Sequence, residues 1–142
     1  MKVKRKSLDQ SGVSALEFAL LLPVLLLFLF GIIEFSVLFY DKAMITNASR
    51  EGARFGITYD FAAGGEHPTG PEIEQVVSDY CGSMLISFSD DSAVTTVVTN
   101  AGGATGTDLT VNVQYDYDWL ILPNFASVLD LNLSAQTVMR LE

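Results

Sequence analysis

Hydrophobic residues run without a charge or a strongly polar side chain from Phe18 to Ile33, sixteen positions in all. The apolar character extends in both directions, from Val13 to Tyr40, interrupted only by the acids Glu17 and Glu34. As a helix this stretch is about 42 Å long, against about 30 Å for the hydrocarbon core of a bilayer, so it can span with length to spare. No breaker follows before Gly56, and the helix is expected to continue to about residue 58. A Gly/Pro-rich loop, Gly64 to Pro71, comes next. Pro71 can open a second helix, with Glu72 and Glu74 at its positive end and Ile73, Val76, Val77, Tyr80, Met84 and Leu85 as an apolar stripe to about residue 87.

The rest reads as strand. Ala93 to Asn100 is rich in Val and Thr, and Asn100 to Gly106 is a flexible turn. Leu109, Val111, Val113, Tyr115 and Tyr117 then alternate without error with Thr110, Asn112, Gln114, Asp116 and Asp118, a half-buried strand. A third strand, Leu131 to Leu141, places Leu131, Leu133, Ala135, Met139 and Leu141 on one face. The predicted fold is α+β: a long N-terminal transmembrane helix running into a small domain with one short helix and a three-stranded antiparallel sheet. The segments are a basic leader (1–12), a transmembrane helix (13–40) and an outer domain (41–142). Trp119-Leu120-Ile121-Leu122-Pro123-Asn124-Phe125 is too apolar for an ordinary exposed loop. It caps the small core, or it is a contact patch for another subunit through Trp119, Leu120, Ile121, Leu122 and Phe125.

Charge orients the chain. Lys2, Lys4, Arg5 and Lys6 put four of eight basic residues in the first six positions, while the remainder holds four basic groups against all seventeen acids. Basic residues before the apolar run and Asp41 after it place the N-terminus in the cytoplasm and the C-terminal domain outside. The acidic body does not suit nucleic acid. A cleaved secretory signal is the rival reading, but its apolar core is shorter and ends at a small-x-small site that is missing here. Cys81 is the only cysteine, so no disulfide framework or zinc set exists within one chain. It is expected half-buried, with pairing to another chain as the alternative.

Two acids and two helix-disrupting residues in the apolar stretch need a reason. An ionised group at mid-bilayer costs about 2.5–3.5 kcal/mol on insertion scales. Glu34 fits at the outer headgroup level; Glu17, one turn into the helix, is harder to dismiss. Pro23 and Gly31 interrupt the helix and are candidates for helix packing; Pro23 is a harmless kink, or it marks a bend or a place where the helix can partly melt. Further out, Ala48, Gly52 and Gly56 recur every four residues. This small face packs either on the chain's own sheet or on a neighbouring subunit. Arg50 and Arg54 fall on an adjacent face, with Glu51 within ion-pair reach of Arg54.

Ser11-Gly12-Val13-Ser14-Ala15-Leu16-Glu17-Phe18 has the layout of a type IV prepilin processing site. A basic leader ends in Gly12, an apolar helix begins at Val13, and Glu17 is its fifth residue. Gly12 has no side chain to hinder a membrane peptidase. Cleavage after it would leave a cationic amine on Val13, which a neighbour's Glu17 could pair with, offsetting the burial of both charges. With Ser14-Ala15-Leu16-Glu17-Phe18-Ala19, the Pro23-bearing run, Gly31-Ile32-Ile33-Glu34-Phe35, Ser49-Arg50-Glu51-Gly52-Ala53-Arg54-Phe55-Gly56 and the tail Ser134 to Glu142, the chain resembles the TadE-like family. These are pilin-like proteins of the tight-adherence (Flp) pilus machinery. Phe18 stands where the major Flp pilins carry tyrosine, which with the sizeable domain argues for the minor class.

The resemblance implies a minor pilin or pseudopilin at the inner membrane. Its implied partners are a prepilin peptidase, other pilin-like subunits (the major Flp pilin and a second minor pilin), the pilus assembly platform and membrane lipid. No catalytic, cofactor or metal motif accompanies it: His67 stands in a Gly/Pro loop without a metal set, and Asp90-Asp91 and the Asp116, Asp118 and Asp130 group match no calcium loop. A permanently anchored binding or sensor module is the alternative, and an anchored enzyme comes third.

Overall fold

The computed structural model describes residues 10–58, 67–86, 94–119 and 131–141. The basic leader through Asp9, Gly64–Glu66, Asp90–Asp91, the Leu120–Phe125 part of the apolar patch and Asp130 lie outside the described residues. Five elements follow in order: α1 (Gln10–Gly56), α2 (Gly70–Met84), β1 (Val94–Thr99), β2 (Asp108–Tyr117) and β3 (Leu131–Arg140). The α+β architecture with a three-stranded antiparallel sheet is the one expected. The sheet order is β1-β2-β3, with Val113 opposite Thr96 on one side and Ala135 on the other.

Helix α1 is 47 residues long and continuous through Pro23. It starts at Gln10, three residues before the expected Val13, so Gly12 lies in its first turn. From Phe18 to Ile33 it is apolar and, Gly31 aside, exposed. The second half buries one face under the domain, where Ile45, Ala48, Ser49 and Ala53 are inaccessible to solvent. Helix α2 closes the core with Ile73, Val77 and Cys81 buried. The Glu72 carboxylate accepts bonds from the Thr69 amide (2.8 Å) and hydroxyl (2.9 Å), which fixes the start of α2 and holds the carboxyl below its ordinary range. The helix ends at Met84, short of residue 87. Met84 is exposed, and Cys81, outside the expected stripe, takes the inner place. Ile73, Val77 and Cys81 step by four along one face of the helix, and Met84 is its last residue.

The alternating residues of β2 carry the core. Leu109, Val111, Val113, Tyr115 and Tyr117 all face α1 and α2. The β1–β2 turn needs backbone freedom at Gly106, which has φ of +92°, and the Gly106 amide donates to the Leu141 carbonyl at 2.7 Å. That bond ties the end of the chain to the hairpin.

The small face of α1 sets how closely the domain approaches. A methyl group at Gly52 would lie 2.5 Å from Val77 Cγ2, and one at Gly56 would lie 2.5 Å from Leu109 Cδ2 and 2.7 Å from Ile73 Cδ1. Gly12, Gly31 and Gly82 have open space at the same position. Gly52→Ala and Gly56→Ala should each destabilise the fold by about 1–3 kcal/mol through overpacking. Gly82→Ala should stabilise α2 by up to about 1 kcal/mol. Thermal melts of the detergent-solubilised chain check the contrast; equal effects at all three sites would contradict this packing.

Candidate functional site

Two features of α1 combine the residues singled out in the sequence. The first is its N-terminal end. Gly12 and Val13 lie in the opening turns, and Glu17 follows one turn on; all three are exposed. Pro23 and Gly31 lie in the same unpacked stretch, with Pro23 exposed and open space at Gly31. By length and composition α1 is the one helix among the described residues fit to cross a membrane, and its apolar window is wholly uncovered by the protein. This long, uncovered apolar helix suggests membrane anchoring.

The second is the junction where α1 enters the domain. Glu34 and Asp41 are seven residues apart, hence on one face of the helix. Both are buried, at 1% and 0% exposure. The Tyr117 hydroxyl, at the end of β2, donates to Glu34 Oε1 at 2.9 Å. Asp41 Oδ1 accepts the Ile86 amide at 3.1 Å, just beyond α2, while its Oδ2 has no hydrogen-bond partner. Burial raises the Asp41 carboxyl, an effect the Ile86 bond reduces without cancelling. Burial, followed by the bond to Glu34 and that group's charge, raises Tyr117. Further along α1, the Lys42 ammonium donates to the Ser134 carbonyl of β3, and the Ser49 and Thr137 hydroxyls are 2.8 Å apart. Polar contacts thus fasten α1 to β2, β3 and the end of α2.

The remaining candidates fall apart from this cluster. Ala48, Gly52 and Gly56 lie inside the chain's own core. Arg54 pairs with Glu51 at 2.9 Å on the surface, and Arg50 is exposed nearby. His67 is held to the Thr58 carbonyl at 3.2 Å. Trp119 packs edge-on to Tyr117 with ring centroids 6.0 Å apart. Cys81, expected half-buried, is 1% exposed, and burial pushes its thiol from the ordinary 9.0 up to about 11. Among the described residues no group of three or more His, Cys, Asp or Glu side chains could hold a metal ion.

Sequence reasoning missed Tyr117 as a partner of Glu34 and gave Asp41 only an orienting role. The available signal was the seven-residue spacing of the two acids. A shared face would have placed them under the same part of the domain.

A family model described as TadE-like protein matches residues 12–54. The match covers under a third of the chain, and over that segment the chain is similar to the family. The match begins at Gly12 and covers the lipid-suited half of α1, the Glu34–Asp41 junction and most of the small-residue face. The TadE-like family is a structural family, and the match suggests involvement in the tight-adherence (Flp) pilus system. No curated protein and no solved structure matches the chain.

The junction generates two expectations. Tyr117→Phe should cost about 1.5–3 kcal/mol, because it removes a donor from a buried carboxylate, and Tyr117→Phe combined with Glu34→Gln should cost less than the sum of the two singles. Equilibrium unfolding of all three variants measures this. For Cys81 the folded value lies above the unfolded one, so its contribution is full at lower pH and lost as pH rises. Relative to Cys81→Ala, the wild-type chain should lose about 3 kcal/mol between about pH 9 and about pH 11. A flat difference over that window would contradict burial of the thiol.

Proposed function

We propose that this chain is a minor pilin or pseudopilin in the assembly of a tight-adherence pilus, cut by a prepilin peptidase between Gly12 and Val13. The observation that carries the reading is an exposed, apolar TadE-like helix with Gly12 in its first turn and Glu17 next to it, unshielded by the domain. A carboxylate at that depth is costly in lipid unless a cation meets it. The amine released on Val13 of a neighbouring subunit is such a cation. The domain keeps to the other half of α1, leaving the first half for helix-to-helix packing.

The partners of this reading are the peptidase, other pilin-like subunits and the assembly platform of the inner membrane, with the domain in the periplasm. A permanently anchored binding or sensor module is the second reading. A cleft of about 410 Å³ between α2 and β1, lined by Pro71, Glu74, Gln75, Ser78, Val94 and Thr96, favours it.

N-terminal sequencing and intact mass of the chain expressed with its peptidase separate the two. The mature chain should begin at Val13. Gly12→Ala should reduce cleavage at least tenfold, about 1.4 kcal/mol or more in the cleavage barrier. The fold should not change, because a methyl group there meets nothing. Glu17→Gln should be cut normally yet fail to associate with other subunits. An uncut chain that stays in the membrane when pili are sheared away would support the anchored module instead.

A further inference from the structure

The levels of α1 and β2 along one axis place the base of the outer domain relative to the bilayer. From Val13 to Ile33 every side chain of α1 is exposed, Gly31 aside. That length is about 32 Å of helix, close to the roughly 30 Å of a hydrocarbon core. The outer boundary then falls near Glu34. Strand β2 runs antiparallel to α1: Leu109 lies against Gly56, and Tyr117 bonds Glu34. The sheet therefore descends along the helix and ends at the membrane boundary.

Trp119 lies two residues beyond Tyr117 in that descent, up to about 7 Å nearer the bilayer. Its indole is only half-buried and packs on Tyr117 at 83°. Beside Glu34 α1 exposes Phe35, with Phe39 and Tyr40 about 8–9 Å farther out, and the two phenylalanine rings are 6.5 Å apart. Tryptophan and tyrosine favour this interfacial depth, where one end of the ring is apolar and the other wet. Asp116 and Asp118 occupy the opposite face of the strand, both exposed, and Asp116 accepts a bond from the Asn132 amide. Those carboxylates resist entry into hydrocarbon and limit how deeply the base can sink.

We propose that the base of the domain is seated in the outer interface of the lipid bilayer, with Trp119 inserted at headgroup depth. The occupant of this surface is phospholipid, contacted through aromatic side chains. The acids beside Trp119 and the net charge of −9 exclude a basic patch as the source of attraction, so the contact is insensitive to salt. The inference rests on α1 spanning the membrane. It does not depend on cleavage or on a pilus.

Trp119 is the only tryptophan in the chain, so its fluorescence reports this position alone. The test uses the full chain in phosphatidylcholine vesicles containing lipids brominated either near the headgroup or near the chain end. Shallow bromines should quench Trp119 roughly twofold, deep bromines less, with little quenching by aqueous iodide and no change on adding salt. Strong iodide quenching without lipid quenching overturns the proposal, because the domain then stands off the membrane. Protection from both quenchers also overturns it, because protein then covers the indole. A Phe35→Trp reference in a Trp119→Phe background reports on α1 itself. Lipid quenching at the reference alone removes this proposal and keeps the spanning helix; loss of it at both sites removes both.

Discussion

The Glu34 carboxylate is buried where the exposed apolar half of α1 gives way to the half that packs in the protein core. An uncompensated charge there would be costly on either side, in lipid or in the core. The structure resolves the problem by bringing the end of β2 to it, so that the Tyr117 hydroxyl donates directly to the carboxylate. The rest of the domain's position follows from that contact. With Tyr117 at Glu34 and Leu109 at Gly56, β2 has no freedom to slide along the helix. A shift of one residue would turn its whole apolar set away from α1. Asp41 and Ile86 then fasten the end of α2 two turns above.

This arrangement divides one helix between two tasks. The half before Glu34 offers an unpacked apolar surface with Glu17 near its start, suited to lipid and to other helices of its kind. The half after Glu34 is the central element of a small core. Gly52 and Gly56 belong to the second task, because their missing side chains let Val77, Ile73 and Leu109 reach the helix backbone. The TadE-like match over residues 12–54 crosses both halves and the junction between them.

Much of this was legible in the pattern of residues. The sixteen-residue apolar run, the error-free alternation of β2 and the four-residue spacing of Ala48, Gly52 and Gly56 led to the observed elements, because each reflects one dominant burial period. Whether the small face packed on its own chain or on another was not legible. The spacing allows close approach without naming what approaches. Tyr117 and Glu34 are 83 positions apart, and no local pattern pairs residues at that distance. The inward place of Cys81 depended on the orientation of α2, which Ile73 and Val77 settle only after the sheet is in place.

The most direct test is a nitroxide scan along α1 from Phe18 to Gly56 in the full chain in bilayers, reading collision with oxygen and with a water-soluble relaxant. From Phe18 to Ile33 every label should collide with oxygen, on all faces. From Glu34 onward the face bearing Glu34, Asp41, Ile45, Ala48 and Gly52 should become protected from both reagents with a period of about 3.6 residues. Protection that begins well after Glu34, or uniform access to the water-soluble relaxant beyond it, would contradict a domain clasped to the helix at the membrane boundary.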